Sequence, residues 1–196
     1  MIATLQQALA DAEHRLTQGA RDRRSPMHMP VVGTADGDLR MMVLRDCSPG
    51  LSLLRFHTDA RSPKVTTVAA GGLVSVLGFD PQDKVQVRVR GPGRIETTGL
   101  IAEAAWAAAT ALARRCYLAV DAPGTPVEEA QSGLPPEVEG LRPTEVQLIP
   151  AREHFAVLLI EPTSLDWLHL AQAGHRRAQF TRGAPGHHWQ GGWVIP

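Results

Sequence analysis

The chain is poor in cysteine, carries no excess of either charge and has no long apolar run. Its two cysteines, Cys47 and Cys116, lie far apart with no C-x-x-C pair, which excludes a disulfide framework and a cysteine-built zinc site. Lys plus Arg number 20 against 20 for Asp plus Glu, so no basic field points to nucleic acid. No stretch is long and apolar enough to span a membrane. The first 24 residues mix Gln, Asp, Glu, His and Arg among apolar side chains, which predicts no secretory leader and a cytoplasmic protein. The eight histidines include no H-E-x-x-H or H-x-x-x-H spacing, so no metal site is expected. A G-x-S-x-G elbow, a phosphate-binding G-x-x-x-x-G-K-[ST] loop and a G-x-G-x-x-G turn are also missing.

What remains is 196 residues, enough for one domain with a sizeable core, with or without a terminal arm. Leu5, Ala8, Leu9, Ala12 and Leu16 recur at helical spacing with Gly19 as a stop. Residues 1–26 therefore read as a helical arm and connector, and a helix lying on the core is the simplest role for them. From residue 27 the period changes. Strands are expected at 29–32, 40–45 and 51–57, separated by turns rich in Asp, Gly and Pro. A short helix over 63–70 precedes strands at 73–79 and 84–96. In the second of these, Val85, Val87 and Val89 alternate with Gln86, Arg88 and Arg90, so one face is buried. Residues 100–117 read as a single alanine-rich helix, and 121–150 as a long loop rich in Pro and Gly. Strands at 154–160, 164–170, 175–181 and 188–195 follow, the last after punctuation at 183–186. The sum is a mainly β domain over 27–196, a small antiparallel barrel or closed sheet with flanking helices.

One stretch gathers polar chemistry: Phe56-His57-Thr58-Asp59-Ala60-Arg61-Ser62-Pro63-Lys64. It offers two cations and two hydroxyls between a strand and a helix, with Asp59 placed to cap that helix. Such a start suits a phosphate. It also reads as a polar turn with solvated charges. Arg40 and Arg45 bracket an apolar strand, Gln86 interrupts a β-branched one, and Trp167, Arg176 and Arg177 sit near the end of the chain. Singly, each also fits an ordinary strand-end, rim or core position.

In this order the residues form a pattern. Arg40 leads an apolar strand, Thr58 ends another, Ser62-x-Lys64 follows, then Gln86-Val87-Arg88-Val89-x-Gly91. The second half adds Phe155-Ala156-Val157-Leu158-Leu159-Ile160-x-Pro162, Leu165-Asp166-Trp167-Leu168, His175-Arg176-Arg177-Ala178 and Trp193-Val194-Ile195-Pro196. Over 27–196 the chain resembles the pyridoxamine 5'-phosphate oxidase-like family of FMN-binding split barrels. The resemblance implies a homodimer with FMN at the interface. Arg40, Ser62, Lys64 and Thr58, next to His57, would hold the flavin phosphate, and the backbone of Met41, Met42 and Val43 would line the ring. Gln86 would meet the ring's polar edge, and Trp167 and Arg177 would close the pocket from the partner subunit.

The departures are specific. Pro63 stands where the family's oxidases carry an Arg before the Lys, and Arg61 is the available replacement. Arg45 takes the place of a substrate-side Lys. His175 is kept as substrate contact and candidate catalytic group, but its Arg companion is Ala173. The resemblance thus implies an FMN-dependent oxidoreductase acting on an unidentified small molecule. A true vitamin B6 phosphate oxidase and a non-catalytic flavin- or haem-binding split barrel are the alternatives.

Overall fold

The computed structural model describes residues 2–183 and 187–196; the expected punctuation at 184–186 lies outside them. The chain opens with α1 (Leu5–Arg21), β1 (Val31–Gly33), β2 (Leu39–Met41), β3 (Leu44–Cys47), β4 (Leu54–Asp59) and α2 (Pro63–Ala69). Then come β5 (Leu73–Asp80), β6 (Val85–Glu96), α3 (Leu100–Ala108), α4 (Ala111–Arg115) and α5 (Ala151–His154). Four strands close it: β7 (Phe155–Ile160), β8 (Ser164–His169), β9 (Arg176–Thr181) and β10 (Gln190–Val194).

All pairings are antiparallel. One path runs β10-β9-β8-β6-β5-β1-β2, and β3, β4 and β7 complete the curl through β6. The long β6 joins the two halves: Val85 to Arg90 pair with β8, while Gly93 to Glu96 pair with β7. Gly91 marks the switch, because a Cβ there would lie 1.9 Å from the Glu161 carbonyl oxygen. This is the antiparallel barrel with flanking helices that the strand pattern predicts, split as the family resemblance implies.

Apolar periodicity fixes two cores. Val85, Val87 and Val89 of β6 join Leu54, Phe56, Leu158 and Trp167 in the barrel interior. The opposite face of β7, through Phe155, Val157 and Leu159, packs with Ala102, Ala105, Ala111 and Tyr117 beneath α3 and α4. β7 is buried on both faces, which explains its unbroken apolar sequence. Ala8, Ala12 and Leu16 of α1 are fully buried in the first core. A reciprocal Thr4–Gln7 capping box starts that helix. The N-terminal segment is thus part of the body of the fold.

Three local readings need correction. α1 runs through Gly19 to Arg21; Gly19 is a close-packing site, where a Cβ would lie 2.5 Å from the Met27 carbonyl oxygen. The strand expected at 40–45 is two strands. β2 pairs with β1 and β3 with β4, so the chain crosses from one half of the barrel to the other at Met42 and Val43. The helix expected at 100–117 breaks at Ala109, which is extended (φ −76°, ψ 139°), and restarts where Thr110 Oγ1 accepts from Ala113 N at 3.2 Å. Residues 121–150 hold no regular helix or strand, yet Val138 and Leu148 are buried. Among the described residues no helix is long and apolar enough to cross a membrane.

Candidate functional site

The break at Met42–Val43, the end of β4 and the first turn of α2 meet around one hollow of about 380 Å³. Arg40, Met41, Met42, Val43 and Arg45 line one side, with His57, Thr58, Asp59 and Lys64 beside them. Ala113, Cys116, Tyr117 and Pro123 form the wall on the helical side. Sequence reasoning missed this wall, since nothing in residues 113–123 marks them as ligand-facing.

The local folding is simple. β4 ends at Asp59, and Ser62 N donates to the Asp59 carbonyl at 3.1 Å to turn the chain. Pro63 then opens α2 at its first position. Asp59 does not cap that helix. Its carboxylate instead takes Arg61 through the backbone N–H at 2.8 Å and through Nε and Nη2 at 3.0 and 2.8 Å. The same guanidinium donates to the Ala119 and Val120 carbonyls at 2.9 and 3.0 Å. Arg61 therefore ties the long loop to β4 and is not at the hollow, contrary to its expected replacement of the family's phosphate-side Arg.

Ser62 is buried at the helix start, with no side-chain bond to the helix backbone. Its hydroxyl accepts from Lys64 Nζ, which also donates to Thr58 Oγ1 at 3.4 Å. Across the hollow, Arg40 donates to Thr34 Oγ1 at 2.9 Å and to the Val32 carbonyl at 3.3 Å, and it pairs with Asp38. Burial and the nearby Arg40 charge hold the Lys64 ammonium below its ordinary pKa. Arg40, Lys64 and Thr58 thus line one space, with the buried Ser62 hydroxyl bonded to Lys64, and the two cations repel each other in a way an anion would relieve. A phosphate matches this donor set: a planar fork, a point cation and hydroxyls that can donate.

His57 sits edge-on to Phe155, with centroids 4.9 Å apart. Burial, then the Arg45 and Arg55 charges, push its pKa down to about 3.

The remaining expected residues lie elsewhere. Gln86 and Arg177 are on the outer face of the sheet. Arg177 grips Asp166 through Nε and Nη2 at 3.1 and 2.7 Å, together with Arg88 and Gln179. Three strand steps separate Gln86 from β2, roughly 14 Å at ordinary strand spacing, so one chain does not unite it with the hollow. Trp167 is fully buried on the inner face, and its indole N–H donates to Asp11 Oδ2 at 2.7 Å. It is a core residue anchoring α1, which corrects the expectation that it closes a pocket from a partner. His175 is exposed in the turn before β9, beside exposed Ala173. No cluster of three His, Cys, Asp or Glu suited to a metal occurs among the described residues.

No family model and no curated protein matches the sequence; solved structures do match its shape. A pyridoxamine 5'-phosphate oxidase-related, FMN binding protein from Nostoc punctiforme superposes with TM-score 0.72 at 22% identity, covering 100% of both chains. PhzG from Burkholderia lata, in complex with tetrahydrophenazine-1-carboxylic acid, gives 0.64 at 17% identity over 98% of this chain and 90% of its own. A Clostridium acetobutylicum protein related to general stress protein 26, of the pyridoxinephosphate oxidase family, gives 0.55 at 10% identity over 89% and 95%. At such identities the likeness establishes the fold: this chain has the split-barrel fold of the pyridoxamine 5'-phosphate oxidase-related proteins.

Proposed function

We propose that the chain is an FMN-binding flavoprotein, active as a homodimer in two-electron oxidation or reduction of a small molecule. The observation that carries this reading is the convergence of Lys64, Arg40 and Thr58 on one hollow that Met41, Met42 and Val43 also line, with Ser62 bonded to Lys64 behind it. Bound FMN would supply the redox chemistry. The protein's part is to hold the phosphate with these four side chains and to present the ring edge to a second ligand.

A second observation supports the dimer. Leu39, Met41, Leu73, Leu77 and Phe79 are 37–67% exposed and share the outer face of β2, β1 and β5. A patch of this kind calls for a covering surface. Met41 belongs both to this face and to the hollow. A second copy on the face would bring its own Gln86 and Arg177 toward a ring that one chain cannot surround. Vitamin B6 phosphates are disfavoured as substrates because Ala173 supplies no guanidinium beside His175.

The test is flavin uptake followed by visible absorbance, run on the protein and on Lys64→Ala. FMN should bind the parent, and the substitution should weaken binding by about 1.5–3 kcal/mol, the range for hydrogen bonds to charged groups. Equal affinity in a folded variant would reduce the α2 start to a polar turn.

A further inference from the structure

We propose that Arg61 is a positioning residue for the anion hollow: it holds the Asp59 carboxylate off Lys64 and so keeps that cation for an anionic ligand, whose identity as FMN rests on the flavoprotein reading. Arg61 does this without touching the ligand, acting through Asp59.

The hollow has an acid in its lining. Among the described residues around it, Asp59 is the one carboxylate, beside Arg40, Arg45 and Lys64. An unpaired Asp59 would oppose an anion twice, by like-charge repulsion and by offering Lys64 a partner within the chain. It lies within electrostatic reach of both walls. The Lys64 ammonium, whose pKa burial and then Arg40 hold down, feels Asp38 and Asp59 as opposing pulls. On the helical side the Tyr117 hydroxyl, raised first by burial, is raised further by the Asp59 charge. Lys64 nevertheless gives its donors to the Ser62 and Thr58 hydroxyls.

Arg61 is what occupies Asp59. Both carboxylate oxygens are taken, Oδ1 by the Arg61 backbone N–H and Nε, and Oδ2 by Nη2. This is the planar two-oxygen fork that suits a guanidinium. The fork is fixed from its far side, where Nη1 and Nη2 donate to the Val120 and Ala119 carbonyls. Those carbonyls lie between Tyr117 and Pro123, two residues of the hollow's helical-side wall. A second tie closes a ring: His154 Nδ1 donates to the Tyr117 carbonyl at 2.9 Å, and the His154 carbonyl accepts from Ala60 N at 2.7 Å. Asp59 is 9% exposed and the Arg61 side chain 23%, so the pair is partly desolvated. Removing Arg61 alone would leave a nearly buried carboxylate, and Lys64 is a cation that already feels it.

Fluorescence titration with FMN, and with riboflavin, which has no phosphate, tests this role on the full chain. Arg61→Gln and Arg61→Met should each weaken FMN about tenfold and riboflavin by less than about threefold, because the freed charge acts on the phosphate alone. Arg61→Lys and the double variant Asp59→Asn with Arg61→Gln should both stay within about threefold of the parent for FMN. In the first Asp59 keeps a cation; in the second a neutral amide makes no claim on Lys64. Undiminished FMN affinity in both charge-removing variants, an equal loss for riboflavin, or no recovery in the double variant overturns the proposal. The last two would reduce Arg61 to a support for the 119–120 segment. Calorimetry with inorganic phosphate separates the two readings. The same ranking of variants toward phosphate in protein that takes up no FMN would uphold the role of Arg61 and fell the flavin reading. FMN uptake indifferent to these substitutions would do the reverse, and a parent that binds neither probe overturns both.

Discussion

His57 shows how one side chain links the site to stability. Its folded pKa is held at about 3 by burial first and by Arg45 and Arg55 second, against about 6.5 in an unfolded chain. Between these values the unfolded chain binds a proton that the folded one refuses. Stability is therefore complete above pH 6.5 and falls as the pH drops toward 3, by about 1.4 kcal/mol per unit and about 2 kcal/mol at pH 5. Denaturant unfolding of ligand-free protein at pH 5 and pH 7 should show this loss, and His57→Gln should flatten it. The same difference in both proteins would show that His57 is not the responsible group.

Among the elements, Gly19 carries a prediction whose sign opposes helix propensity. Replacing a mid-helix Gly by Ala usually stabilises by up to about 1 kcal/mol. Here a Cβ would meet the Met27 carbonyl oxygen at 2.5 Å and its carbon at 2.7 Å. Gly19→Ala should therefore destabilise by about 1–3 kcal/mol, the usual cost of overpacking, with a lower midpoint in thermal unfolding. A raised midpoint would mean that α1 does not lie against the 27–30 segment as described.

The same residue shows what the sequence hides. Periodicity located the strands, the long α1 and the short α2 after β4, since alternation and helical spacing are local signals. It could not separate a stopping glycine from a packing one, because the deciding contact with Met27 is tertiary. Nor could it split 40–45 at Met42–Val43: both halves are apolar and differ only in which strand they pair with. The cap at Thr110 was visible as Ala-Thr-Ala, yet the surrounding alanines outweighed it. At the site, the hollow gathers Arg40, Lys64 and Thr58, which sequence order singled out. Trp167 was misplaced because an aromatic that seals a core looks, in sequence, like one that seals a pocket.

At the scale of the molecule, the fold leaves one sheet face uncovered and divides the expected ligand groups between that face and the hollow. Leu77 is central to it, paired with Val31 on one side and Arg88 on the other. It is 37% exposed in the single chain, so Leu77→Arg should fold normally, yet it should place a charge in the proposed interface and yield monomer on gel filtration. FMN affinity should fall with dimerisation, since each ring would lose the second chain's groups. A variant that remains dimeric would move the interface elsewhere. Sedimentation velocity of the FMN-loaded parent, followed at the flavin absorption band, tests the central claim most directly. Flavin sedimenting with a species of twice the chain mass, at one flavin per chain, is the predicted result; flavin left at the meniscus, or carried by a species of single-chain mass, would contradict it.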